Sequence, residues 1–131
     1  LTRGELVAAY DHGEQYWADV GTPSRYLRAT TEVLDDPNRF PQSPLPERED
    51  SRFILESRAV HPSATFEPPV FVAEGATIES GAVVGPHAVV GAGCTVRADA
   101  QVRESVLMDG ADVSGSTFRQ ILLEDRQVRA P

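Results

Sequence analysis

From Val60 onward the chain repeats every six residues, and this period is the strongest constraint on its fold. The first slot of each hexad holds Val60, Phe66, Val72, Ile78, Val84, Val90, Val96, Val102 and then Met108. The fifth slot holds Ala64, Val70, Ala76, Ala82, Ala88, Cys94, Ala100 and Val106. All seventeen are apolar in a chain that is 40% apolar, an outcome with probability on the order of 10⁻⁷ for independent draws. A period of six fits neither a helix nor simple strand alternation. It fits a short strand and a turn on each side of a prism, repeated turn after turn, with the first slot inward and a small fifth residue at the crowded corner. Gly81, Gly85, Gly91 and Gly93, with Pro68, Pro69 and Pro86, supply turn residues. Successive turns of such a solenoid pair as strands do, about 4.8 Å apart. After Met108 the phase slips, because Asp112 and Ser114 would fall inward. SVLMDGADV (105–113) lines up with QILLEDRQV (120–128), fifteen residues on, which reads as a last, shorter turn that ends the stack.

The chain ahead of the repeat is different. Residues 1–34 read as mixed α/β, with a short helix over 3–10, a strand over 14–20 and a helix over 22–34. Thr22 is placed to cap that last helix and Pro23 to open it. Tyr26, Leu27, Thr30, Val33 and Leu34 form its apolar face. So short a piece cannot bury a core alone, so it reads as the end of a domain. Residues 35–57, with prolines at 41, 44 and 46, read as an extended linker whose last apolar residues, Phe53, Ile54 and Leu55, dock on the repeat. The expected division is therefore 1–34, 35–57 and 58–131. The chain opens on Leu1 and its only methionine is Met108, so it reads as a piece of a longer protein.

Composition narrows the function. A net charge of −8 argues against a nucleic-acid partner. All twelve basic residues are arginines, which excludes lysine Schiff-base chemistry. One cysteine makes no internal disulfide, and no run approaches a membrane span, so a soluble cytoplasmic protein without a membrane partner is expected.

The hexads resemble those of the hexapeptide-repeat proteins, which implies a mainly β fold, a left-handed parallel β-helix of about four coils preceded by a short α/β remnant. YWADVGTPSRYLRAT (16–30) resembles the W-x-D-x-G-T-P-x-x-Y-L segment that ends the catalytic domain of sugar-1-phosphate nucleotidyltransferases. That segment, a linker, VHPSA with its hexads and then SVLMDGADV come in an order similar to mannose-1-phosphate guanylyltransferases and their glucose-1-phosphate relatives. The resemblance implies attack of a sugar-1-phosphate on the α-phosphate of a nucleoside triphosphate, with pyrophosphate released and Mg²⁺ as cofactor. It also implies that Asp19 is a late metal carboxylate; the alternative is that Asp19 only caps its turn. Tyr16 and Trp17 read as packing residues. The glycine-rich loop, the partner metal carboxylate and the sugar-phosphate lysine of such enzymes do not occur in these 131 residues. This stretch alone is expected to be without catalysis and without a cofactor of its own. Its β-helix is expected to serve homo-oligomerisation, as a dimer or trimer, and in some relatives regulation. The faces between residues 68 and 96 carry only Glu74 and Glu79 as charges, which suits self-association.

Three rivals remain. A hexapeptide acyltransferase would bind acyl-coenzyme A and use His87 as its base, but His87 sits in a fourth slot near a corner, where a turn or interface role fits better. A metal hydratase would need histidines to converge, whereas His12 lies outside the coils and His61 and His87 are 26 residues apart. A pure assembly module would have no α/β remnant, against residues 14–34. Cys94 occupies an inward slot and reads as core, not as a nucleophile.

Overall fold

The repeat closes after three hexads. In a computed structural model of the chain, which describes residues 18–39, 52–54 and 59–130, Val70 lies beside Ala88, Ile78 beside Val96 and Val84 beside Val102, each pair eighteen residues apart. The first turn comprises β1 (Arg52–Ile54), β2 (Ala59–Val60) and β3 (Thr65–Phe66), and the second β4 (Val70–Val72), β5 (Thr77–Ile78) and β6 (Val83–Val84). The third comprises β7 (Ala88–Val90), β8 (Thr95–Val96) and β9 (Gln101–Arg103), and the fourth β10 (Val106–Leu107), β11 (Asp112–Val113) and β12 (Ser116–Phe118). β13 (Gln120–Leu122) begins a further turn, and β14 (Gln127–Arg129) folds back on it. Strands stack into three sheets, β1-β4-β7-β10-β13-β14, β2-β5-β8-β11 and β3-β6-β9-β12. The fold is thus mainly β, a β-solenoid of about four turns with one short helix before it.

Inside the prism, Val72, Val90, Leu107 and Leu122 stack from the first sheet, and Ile78, Val96 and Val113 from the second. Val84 and Val102 stack from the third, against half-buried Phe66. Ala76, Cys94 and Ala111 fill one corner, and Ala82 and Ala100 another beside half-buried Ala64. At these two corners the strands on two sides converge, and a methyl or thiol fills the space; the third corner holds Val70 level with Ala88. Corners also force left-handed backbone. One ridge uses glycine, at Gly75, Gly93 and Gly110, but the ridge before the first sheet uses His87, Glu104 and Arg119, each with φ near +50°.

Four sequence expectations need correction. The fifth slot after Ala100 falls to Ser105 and the inward slot to Leu107, both fully buried, while Val106 faces outward and Met108 is half-buried and packs outside the core. The corner of Arg103, Glu104 and Ser105 has lost one residue. Val90 therefore lies beside Leu107, seventeen residues on; the corner at Ser114 and Gly115 is shorter by two more, so Leu107 lies beside Leu122, fifteen residues on. Val60, counted as inward, is 37% exposed, because β2 is the edge strand of its sheet and has only β5 beside it. RQV at 126–128 does not repeat ADV at 111–113 as a parallel strand. β14 turns back antiparallel and covers the edge of β13, so only part of the fifteen-residue similarity is a turn. Finally, residues 18–20 are not strand. The rest of the strand expected over 14–20, the helix over 3–10, His12, Tyr16, Trp17 and Leu55 lie outside the described residues. β1 falls inside the stretch read as linker and forms the first strand of the first sheet.

Candidate functional site: a helix seated on the solenoid

Ahead of the solenoid stands α1 (Pro23–Asp35). Thr22 adopts extended backbone and its Oγ1 accepts the Arg25 N–H at 3.3 Å, while Pro23 needs no donor at the first position. Asp19 sits just before this cap. One carboxylate oxygen accepts the Gly21 N–H at 2.9 Å, and the other holds the Arg25 guanidinium. Both oxygens of Asp19 thus brace the turn into α1. Among the described residues no three His, Cys, Asp or Glu side chains gather where they could hold a metal ion. A carboxylate already neutralised by arginine does not by itself make a magnesium site.

α1 rests on the outside of the first sheet. The outward row across its six strands is Phe53, Phe71, Val89, Val106, Ile121 and Val128, apolar throughout. The matching rows on the other sheets are Ala59, Thr77, Thr95 and Asp112, and Thr65, Val83, Gln101 and Ser116. Only the first row can bury a helix at little polar cost. There Leu27 packs with Val106 and Ile121, and Tyr26, Val89, Met108, Leu123, Val128 and Ala130 complete the cluster. The sequence carried this signal in the residue after every third fifth slot, Phe71 and Val89, but a reading confined to inward positions passes over it.

The far end of α1 is tied by a side-chain bond. His87 Nε2 lies 2.6 Å from Asp35 Oδ1, across 52 residues of sequence. His87 therefore bridges a solenoid corner and the helix. His61 is elsewhere, on the corner after β2, where its Nδ1 accepts the Ser63 N–H at 3.1 Å. The two imidazoles do not converge. A groove of about 470 Å³ opens at that edge of the first turn, lined by Val60, His61, Pro62, Ile78, Glu79 and Ala98 among others.

Cys94 is fully buried, and its Sγ–H donates to the Met108 carbonyl at 3.0 Å. Burial pushes its thiol up from the ordinary range, so it is a poor nucleophile. The buried hydroxyl of Ser105 is satisfied within the stack: its Oγ donates to Arg103 O at 2.7 Å and accepts the Gln120 N–H at 3.1 Å. On the second face Arg97 spans neighbouring turns, reaching Glu79 at 3.2 Å and making two bonds to Asp112. Those bonds hold the Asp112 carboxyl below the usual carboxylate range. No helix among the described residues is long and apolar enough to cross a membrane.

These features describe a helix docked on a solenoid, with its buried hydroxyl and thiol satisfied. No curated protein was found to match the chain. A family description does match: residues 66–122, the three-sided stack from β3 to β13, are similar to the GMPPB C-terminal domain, the C-terminal β-helix region of mannose-1-phosphate guanylyltransferases.

Proposed function

We propose that the chain is the C-terminal part of a sugar-1-phosphate nucleotidyltransferase that makes nucleotide sugars such as GDP-mannose for cell-envelope polysaccharide. The supporting observation is order along one chain: WADVGTP leads into capped α1, and a GMPPB-type solenoid comes after it. In this reading the nucleoside triphosphate, the sugar-1-phosphate and Mg²⁺ bind in a catalytic domain that precedes these residues. The solenoid serves assembly of the protein with copies of itself in the cytoplasm, and the 131-residue chain alone has no turnover. Because α1 covers much of the first face, self-association would use the second or third face or an end of the prism. Asp19 joins the metal only if further carboxylates come to it from that domain.

The acyltransferase alternative finds no favouring observation, since His87 is engaged by Asp35 and not open to an acceptor. The test is the coding sequence upstream of Leu1, translated in frame. A glycine-rich, arginine-bearing loop after a first strand, then an acidic residue and a sugar-phosphate lysine, is the expected result. An unrelated domain there would end the transferase reading, and acyl-coenzyme A binding would be tested next.

A further inference from the structure

We propose that His87 and Asp35 form a proton-operated latch that holds the C-terminal end of α1 on the solenoid. The inference stands on the geometry of this chain and goes beyond the transferase reading.

The geometry has three parts. First, the Nε2 to Oδ1 separation of 2.6 Å is that of a strong, charge-assisted hydrogen bond when the imidazole carries both protons. Second, Asp35 is the last residue of α1, where the carbonyl ends of the helix present partial negative charge. A carboxylate there is unfavourable unless a cation faces it, and His87 is the group that faces it. Third, the imidazole is aimed by its backbone. His87 stands at φ 54° on a corner, and its N–H donates to Pro69 O at 2.8 Å. Its position is therefore fixed by the stack and not by the helix.

Other charged groups stand on both elements. On the helix side Asp36 follows Asp35 as the C-cap. On the solenoid side Glu104 occupies the equivalent corner one turn on, its N–H bonded to Pro86 O at 2.9 Å, and Arg119 occupies the corner beyond. Glu67 and Arg103, at the strand ends beside this ridge, are 3.7 Å apart and offset one another. The apolar half of the seat, Leu27 on Val106 and Ile121, does not change with protons. Protonation tightens one end of an otherwise constant interface, so the latch tunes how firmly α1 is seated.

The test is amide hydrogen exchange of the 131-residue chain, expressed as protection factors, from about pH 8 to about pH 5.5, where imidazoles change charge. Amides of the last two turns of α1 should gain roughly two- to five-fold in protection as pH falls, the range of a half-exposed ion pair. Asp35→Asn and His87→Asn should each abolish that gain; asparagine tolerates the left-handed backbone at position 87. Core amides at Val84 and Val90 serve as the internal reference for an intact solenoid. No gain in the unsubstituted chain, or a gain that persists in either variant, overturns the latch.

Discussion

At the scale of single residues, the corners set the tolerances. Cys94 shares its stack with Ala76 and Ala111, so Cys94→Ala is expected to cost less than about 1.5 kcal/mol, whereas Cys94→Leu overpacks the corner by about 1–3 kcal/mol. Denaturant melts of the two variants check this. Two glycines make a sharper contrast. A Cβ on Gly85 would lie 1.9 Å from the Glu67 carbonyl oxygen, at φ +108°, so Gly85→Ala must distort the corner. Gly93 has nothing within 4 Å of the same atom, and Gly93→Ala costs only the left-handed backbone, about 1 kcal/mol. Equal shifts of the melt by the two substitutions would contradict this corner geometry. Asp112 offers a pH test on the second face. Its carboxyl is held below the usual range by Arg97, so carboxyl NMR should place it low and Arg97→Gln should return it upward. The bond therefore contributes fully above the unfolded value of about 3.9 and is lost as pH falls through the lower folded value. Exposure keeps the effect on global stability small.

At the scale of elements, what was legible depended on whether one residue type carried the information. Thr22 and Pro23 announce the start of α1 because capping is local chemistry. The inward hexad slots announce the solenoid because its core and corners favour apolar side chains from turn to turn, the buried Ser105 and Thr117 of the fourth turn being exceptions. The lost residue at Arg103–Ser105 was not legible, since either Leu107 or Met108 is apolar enough to fill the slot and only pairing against Val90 decides. The fold-back of β14 was hidden similarly: QVR can pair in either direction, and the choice is made by its neighbour β13. The register makes a prediction that separates the two apolar residues. Leu107→Ala should cost about 2–5 kcal/mol as a core cavity, and Met108→Ala distinctly less, because Met108 lies half-buried under α1. Equal losses in chemical denaturation would restore the unbroken hexad phase.

At the scale of the whole molecule, the structure assigns the three faces different tasks. One apolar row seats the helix that precedes the solenoid, and the rows of the other two remain free of that helix. The candidate site was the least legible part: His87 and Asp35 are 52 residues apart, and nothing in either hexads or helix pattern links them. Asp19 shows the reverse case. Its motif context was visible, but its bonds to Gly21 and Arg25 appear only in three dimensions. The helix seat joins α1 to the solenoid through the Leu27 cluster at one end and the His87–Asp35 bond at the other. The most direct measurement is pyrophosphate release by the protein encoded by the whole reading frame that contains this chain, supplied with GTP, mannose-1-phosphate and Mg²⁺, beside the 131-residue chain under the same conditions. Release by the whole reading frame's product and none by the 131-residue chain alone is the predicted result. A whole-frame product that releases no pyrophosphate with GTP or any other nucleoside triphosphate, whichever sugar-1-phosphate is offered, would overturn the transferase reading.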